Sequence, residues 1–332
     1  MDALPKNHQL NVDTSWEGLT RPGDACNHFS SNPLPPFQPH AKAFNLTNAF
    51  WLSEISRLIY RRSGSETEEV PAGPSRADIL KTVGLRETLF LSRQETQCAL
   101  VRTAPGHQDP FAALVFRGTT GLRNWFLDLD VRPQHIAPRT VVHRGFKEAL
   151  DHVWKDLQPQ LARLRVPLFI TGHSMGGALA QLAAWYHPPC GVYSFGAPRV
   201  GDAGFTAGMT RTPVYRLVND RDVVTVLPPS SQLLSFKSAG ELVHIDRGGR
   251  VCQMDGGGEA ATCWESARMS MPASGGRWFN PPGFLADHAP INYSAKILKS
   301  LHSNPNENGL AVVDTDTDRN NVRIRLSGSP TR

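Results

Sequence analysis

The segment Ile170-Thr171-Gly172-His173-Ser174-Met175-Gly176-Gly177 decides how the rest of the chain is read. VPLFITG (166–172) before it is a short apolar run of strand character, and MGGALAQLAAWY (175–186) after it reads as a helix. Between the two lies G-x-S-x-G, so the backbone has to turn abruptly from strand to helix at Ser174. Such a turn lifts the serine hydroxyl above the C-terminal edge of a sheet and crowds the backbone around it. Glycines at 172 and 176 relieve the crowding, and Gly177 with Ala178 lets the helix lie close on the sheet. A serine hydroxyl is a weak nucleophile without a base in reach. The segment therefore predicts a nucleophile that needs a histidine, and a carboxylate to orient that histidine, from elsewhere in the chain. A glycine-rich strand–helix corner with an idle serine is the other reading, and it needs no partners.

Working outward, short apolar runs bounded by Gly, Pro or Asp read as strands: ETLFLS (87–92), TQCALVRT (96–103), FAALVFRG (111–118), GVYSFGAP (191–198), PVYRLVN (213–219) and ELVHID (241–246). Helical spacing links Phe44, Leu46, Phe50, Leu52, Ile55, Leu58 and Ile59, predicting an amphipathic helix between Ala43 and Arg61. A second helix is predicted from Gly145 to Leu164, with Pro159 bending or interrupting it, and a third over 289–302. Strands alternating with helices imply an α/β fold with a mostly parallel sheet covered on both faces. Residues 1–42, rich in Pro, Asn and Ser, read as an extended arm, and 63–76 as a turn-rich connector. The stretch 247–286 is a Gly-rich insertion, and 303–332 a polar, flexible tail in which VRIRL (322–326) is a candidate edge strand.

The partners of Ser174 are sought downstream, acid first and then histidine. Asp220 and Asp222 both follow the strand PVYRLVN, where a catalytic acid belongs; either also reads as a turn carboxylate capping nearby amides. Among twelve histidines, His173 should point away from the serine, His244 lies inside a strand, His143 precedes the serine and His302 ends a helix. His288 stands before a helix and after the last predicted strand, as a base-bearing loop requires; a surface histidine at a helix start is the bland alternative. The oxyanion needs preorganised donors. The Met175 amide is one, and Thr119, at the end of FAALVFRG, would supply an amide and a hydroxyl.

Composition excludes several other classes. The 332 residues are 40% hydrophobic and 20% charged, ordinary for a globular chain. The net charge of +5 is scattered without like-charge runs, which argues against nucleic-acid binding. No stretch reaches the roughly 18 apolar residues of a membrane span, and the first residues lack the basic-then-apolar layout of a leader, so a cytoplasmic, soluble protein is expected. Five cysteines at irregular spacing, Cys26, Cys98, Cys190, Cys252 and Cys263, suggest neither a disulfide framework nor a zinc site; free thiols are expected, with a Cys252–Cys263 bridge as the alternative.

Several blocks in order resemble the class 3, fungal-type lipases of the α/β-hydrolase superfamily: FRGTTGLRNWFLDL (116–129), VHRGFKEAL (142–150), ITGHSMGGALAQLAA (170–184), YSFGAPRVGD (193–202), VYRLVNDRDVVTVLPP (214–229) and DHAPINY (287–293). With the helix near 43–60 the likeness covers about residues 43–302, which become the expected catalytic domain. The resemblance selects Asp222 as acid, because the family has Asp before a Val and a Leu-Pro-Pro. It supports His288 as base and Thr119 as oxyanion residue. The family usually has proline three residues after the acid; this chain has Thr225, which keeps Asp220 in reserve. A lid is implied over 120–130, where Leu122, Trp125, Phe126, Leu127 and Leu129 are unusually apolar; an ordinary packed helix is the other reading. By chain position, Trp278, Phe279, Pro282, Phe284 and Leu285 are candidates for the acyl pocket.

The activity so implied is serine-dependent hydrolysis of carboxylic esters, triacylglycerols foremost, without metal or organic cofactor. Partners would be a lipid or ester substrate and, transiently, a lipid–water interface. Phospholipase A1, a short-chain or feruloyl-type esterase and an acyltransferase share the same machinery. A non-catalytic binding protein on a hydrolase fold is the contrasting class, disfavoured because nucleophile, acid, base and oxyanion donor all have candidates in a workable order. A further alternative makes the arm and the tail a partner-binding module.

Overall fold

The computed structural model describes residues 11–61, 73–119, 131–228, 235–254, 281–303, 311–314 and 323–326. Its centre is five parallel strands in the order β3 (Ala112–Phe116), β6 (Leu168–His173), β7 (Gly191–Phe195), β8 (Val214–Asn219) and β9 (Glu241–Ile245). The first four are buried at every residue. Their sequences are continuous apolar runs, as a sheet covered on both faces requires. The antiparallel hairpin β1 (Leu85–Arg93) and β2 (Thr96–Thr103) extends one side. On the other side β10 (Val251–Met254) pairs with β9, and β11 (Ala311–Asp314) and β12 (Arg323–Leu326) complete ten strands. The expected edge strand is thus the last strand of the sheet, and two short pieces of the stretch read as a polar tail pair with the main sheet. A separate hairpin, β4 (Pro133–Ala137) with β5 (Thr140–His143), was not anticipated.

One face of the sheet is covered by α4 (Arg144–Ala162) and α5 (Met175–Tyr186). α4 buries the expected stripe of Phe146, Leu150, Val153, Leu157 and Leu161, and it continues through Pro159 to Ala162. Pro159 sits in the last turn and neither ends nor splits the helix; it leaves the Lys155 carbonyl without the N–H that another residue would offer. The opposite face carries α2 (Leu46–Leu58), α8 (Pro290–Ser303) and the described part of the arm. Asn45 caps α2 by accepting from the Asn48 amide at 2.9 Å.

The helix expected to be amphipathic is instead buried around its whole circumference. Its second face is sealed by the arm, which has little regular structure beyond α1 (Trp16–Thr20) and a 3-10 turn at Pro22–Asp24. Phe37 stacks on Phe111 with ring centroids 3.9 Å apart, and the Trp51 indole donates to the Pro35 carbonyl at 2.8 Å. The remaining helices are α3 (Arg76–Thr82), α6 (Ala203–Gly208) and α7 (Gly283–Ala286). Among the described residues no helix is long and apolar enough to cross a membrane.

Candidate active site

Register brings the functional segments to one edge. Gly172, near the end of β6, is paired with Phe116 on one side and Ser194 on the other. Residues just after β3, β6, β7 and β8 therefore emerge side by side. Ser174 is at the strand–helix corner with φ 57° and ψ −131°, a backbone conformation rarely held by a residue with a side chain and characteristic of functional sites. Glycine is obligatory around it. A Cβ on Gly172 would lie 2.3 Å from the Gly176 backbone, and one on Gly176 would lie 2.1 Å from the Phe116 carbonyl oxygen.

Asp222 follows β8 and opens a 3-10 turn over Val223–Val226. Its carboxylate accepts from the Val224 amide at 2.9 Å, from His288 Nδ1 at 2.8 Å and from the Tyr293 hydroxyl at 2.6 Å. Asp222, His288 and Tyr293 are all fully buried. Burial, reinforced by the Asp222 charge, raises the Tyr293 hydroxyl well above the usual phenol range, so it stays a donor. The three groups converge over Gly196, where φ is +60° and a Cβ would come within 2.6 Å of Asp222 Oδ2 and 3.0 Å of His288 Nδ1. Thr225, where proline is usual in the family, donates its hydroxyl to the Asp222 carbonyl at 2.8 Å and so tightens the same turn.

Asp220 does not share this environment. It adopts φ 43°, and its carbonyl lies 3.2 Å from His244 Nε2. His288 sits between α7 and α8. The strand end Asn219 ties its loop down, donating to the Asp287 carbonyl at 2.7 Å and accepting from Lys296 Nζ at 2.6 Å. Ser174 Oγ and His288 Nε2 are both buried and have no hydrogen-bond partner among the described residues. The two atoms that the chemistry would join are therefore both left unsatisfied.

Thr119 lies three residues beyond β3, its hydroxyl 3.5 Å from the Met175 sulfur, so the two expected oxyanion residues are neighbours. The lid candidates Leu122, Trp125 and Phe126 lie outside the described residues, as do Trp278 and Phe279. Phe284 is buried against Val218, Val223, Val226 and Leu242, while Leu285 packs between that cluster and Leu19 with Ala289. Both side chains hold the base loop against the acid loop and the arm. A cavity of about 570 Å³ opens elsewhere, at the starts of β8 and β9, lined among others by Lys42, Arg211, Tyr215 and Glu241. It touches none of the groups above.

Sequence reasoning missed Tyr293, Asn219 and Gly196 as partners of the acid and the base. Tyr293 left a trace in the block DHAPINY; the other two carried no local signal, because their roles depend on contacts across the sheet edge.

The profile of the family described as Lipase (class 3) matches residues 113–232, from β3 to just past the acid. A lipase of Rhizomucor miehei is 36% identical over 156 residues, 42% of each chain. The secreted mono- and diacylglycerol lipase 2 of Gibberella zeae is 30% identical over 244 residues, 59% of each chain. These matches span less than two thirds of the relatives' lengths. The solved structure of lipase II from Rhizopus niveus superposes with a TM-score of 0.51 at 25% identity, covering 61% of this chain and 81% of that one. Family profile, fungal relatives and solved fold point the same way: over residues 113–232, which hold the serine elbow and Asp222, this chain is similar to the class 3 lipase family.

Proposed function

We propose that this protein hydrolyses carboxylic esters of lipids, triacylglycerols foremost, through an acyl-enzyme on Ser174. The observation that carries the reading is the buried Asp222–His288 pair with His288 Nε2 unpartnered, beside an unpartnered Ser174 Oγ on a strained elbow. Asp222 accepts from His288 Nδ1–H and so leaves Nε2 bare as the base. Ser174 Oγ attacks the ester carbonyl carbon while its proton passes to Nε2. The Met175 amide and Thr119 hold the oxyanion. The intermediate collapses as the alkoxide leaves with the proton from Nε2, and water then clears the acyl group by the same steps.

Residues 43–302 form the proposed catalytic unit, with the described part of the arm docked on it. The apolar stretch 120–130 is proposed as a lid that meets a lipid–water interface. Fungal relatives named as lipases support the substrate class. For compartment we propose the cytoplasm, supported by free thiols at Cys98, Cys190 and Cys252. The Gibberella relative is named as secreted, and cell fractionation decides the point.

The test uses p-nitrophenyl esters from C2 to C16 and emulsified triacylglycerol, with wild type beside Ser174→Ala. Long-chain and emulsion activity that falls by at least about 10⁴-fold in the variant is expected. Activity on short esters alone would make the protein an esterase. A variant as active as wild type would remove Ser174 from the mechanism.

A further inference from the structure

His173 lies next to the nucleophile but is not spent on it. The ring is buried, with Nδ1 3.0 Å from the Tyr60 hydroxyl and Nε2 2.7 Å from the main-chain oxygen of His288. A carbonyl oxygen only accepts, so Nε2 carries the proton. Burial, and then the neighbouring His288, hold His173 well below the usual imidazole range, so the ring is neutral and Nδ1 is bare. Tyr60 must then donate to Nδ1. Burial pushes the Tyr60 phenol above its ordinary range, which keeps that hydroxyl protonated. The direction of every bond in the chain Tyr60 O–H to His173, His173 Nε2–H to the His288 carbonyl, is thereby determined.

We propose that Tyr60 and His173 are positioning residues that lock the main chain of the base to the main chain of the nucleophile. The inference rests on the reading of Ser174, Asp222 and His288 given above. Asp222 anchors the His288 imidazole at one point only, Nδ1, about which the ring retains freedom. His173 anchors the same residue at a second point, its carbonyl oxygen, and His173 is covalently joined to Ser174. The separation of Nε2 and Oγ is thus set within one short frame instead of across two independent loops. The rings of His173 and His288 have centroids 4.5 Å apart, tilted by 41°, so they also restrain each other by contact.

Tyr60 extends that frame to the oxyanion loop. A Cβ on Gly118 would lie 2.1 Å from the Tyr60 hydroxyl, 2.6 Å from the His173 carbonyl oxygen and 3.1 Å from Ser174 Cβ. Glycine at 118 therefore lets the segment bearing Thr119 press directly on the relay. Nucleophile, base and oxyanion loop meet on two side chains that make no hydrogen bond to Ser174 Oγ or His288 Nε2.

A relay that sets geometry should act on kcat and leave KM nearly alone, because misplacement of reacting groups by about 1 Å costs on the order of 10²-fold in rate. The experiment compares His173→Phe, which keeps a buried ring and loses both hydrogen bonds, with His173→Gln, which keeps a donor for the carbonyl. Tyr60→Phe and the double variant Tyr60→Phe/His173→Phe complete the set. Readouts are kcat and KM on a soluble short-chain ester, the low-field proton resonance of His288 Nδ1–H, and thermal unfolding.

His173→Phe is expected to lose about 10- to 100-fold in kcat with KM within about twofold, and to broaden or lose the low-field resonance. His173→Gln should recover much of that loss. Tyr60→Phe should lose less, and the double variant should be no worse than His173→Phe, since both changes break one chain. If His173→Phe does not fold, Tyr60→Phe, which removes one oxygen atom, carries the same test on kcat and the resonance.

The relay is overturned if the folded single variants keep wild-type kcat and an unchanged resonance, or if their losses add fully in the double variant. Failure of the underlying triad would show separately, as a Ser174→Ala protein that is still active or a wild type without the His288 low-field proton.

Discussion

The layer built from α2, α8 and the arm and the layer built from α4 and α5 cover the same strands, yet they are made of different material. Behind α4 and α5 the packing is almost purely aliphatic and aromatic, with Gln181 and Ser194 3.2 Å apart as one of its few polar contacts. The α2 side is threaded with buried polar groups. Glu54 pairs with Arg57 at 2.9 Å, Ser56 with Thr171 at 2.8 Å, Ser53 with Ser294 at 3.0 Å and Tyr60 with His173 at 3.0 Å. Apolar contact is non-directional and tolerates small sliding, whereas hydrogen bonds define orientation. The first layer holds the nucleophile helix close, and the second sets how the base loop is aimed.

The arm belongs to the second layer. Arg57 donates to Asn27 Oδ1 at 2.9 Å and to the Asn27 carbonyl at 2.7 Å, and Glu54 accepts from the Phe29 amide. Further along, Asp13 and Asn292 exchange two hydrogen bonds, 2.7 and 2.8 Å, one residue before Tyr293. What composition presents as an extended arm is, in its described part, a strap joining α2 to the loop that carries His288 and the start of α8.

The contrast can be broken most severely at Glu54. Glu54→Leu leaves Arg57 buried without its carboxylate and the Phe29 amide without its acceptor, and should cost about 3–5 kcal/mol. Urea unfolding measures this, and a cost below about 1 kcal/mol would show that the ion pair is not what holds the arm. On the aliphatic side, Leu150→Ala should cost about 2–5 kcal/mol with no change in kcat of the folded enzyme. A fall in kcat there would erase the proposed division between the layers.

Tyr293→Phe sharpens the comparison, because it removes one donor to Asp222 together with the hydroxyl that accepts from the buried Asn219 amide. A hydrogen bond to a charged group is worth about 1.5–3 kcal/mol, so kcat/KM should fall by roughly tenfold to a hundredfold, and the melting temperature should drop by a few degrees as well. An unchanged rate would mean that the Val224 amide and His288 suffice to hold the carboxylate.

The smallest effect concerns Asp287. Burial first of all lifts its carboxyl to about 6 from 3.8. The folded state therefore binds this proton more tightly than the unfolded chain, and the stability contributed below about pH 4 is lost as pH rises through about 6. Asp287→Asn should flatten that part of the melting-temperature profile between pH 4 and 7. A profile that keeps its slope would place the titration elsewhere.

Much of the site was legible along the chain because its elements are local. The elbow needs a strand, a glycine two residues to either side of Ser174 and a helix, and all of these lie within about twenty residues. The parallel strands announced themselves as uninterrupted apolar runs, and Asp222, His288 and Thr119 stand at strand or helix ends where loops converge. The family likeness was needed to choose Asp222 over Asp220, since two residues of sequence separation carry no information on which carboxylate turns inward. That choice is made by the positive φ at Asp220 and the 3-10 turn after Asp222.

What the amino-acid order determined by itself is the fold class, with Ser174 as the candidate nucleophile and a short list of candidate partners, because hydrophobic period and backbone strain act over a few neighbouring residues. Only the tertiary structure decided that α2 is buried all round, that the arm is a strap, and that Tyr60, His173, Asn219 and Tyr293 frame the reacting groups. Those assignments depend on which distant segments meet, with contacts such as Asp13 to Asn292 closing loops of 279 residues, and no local periodicity encodes them.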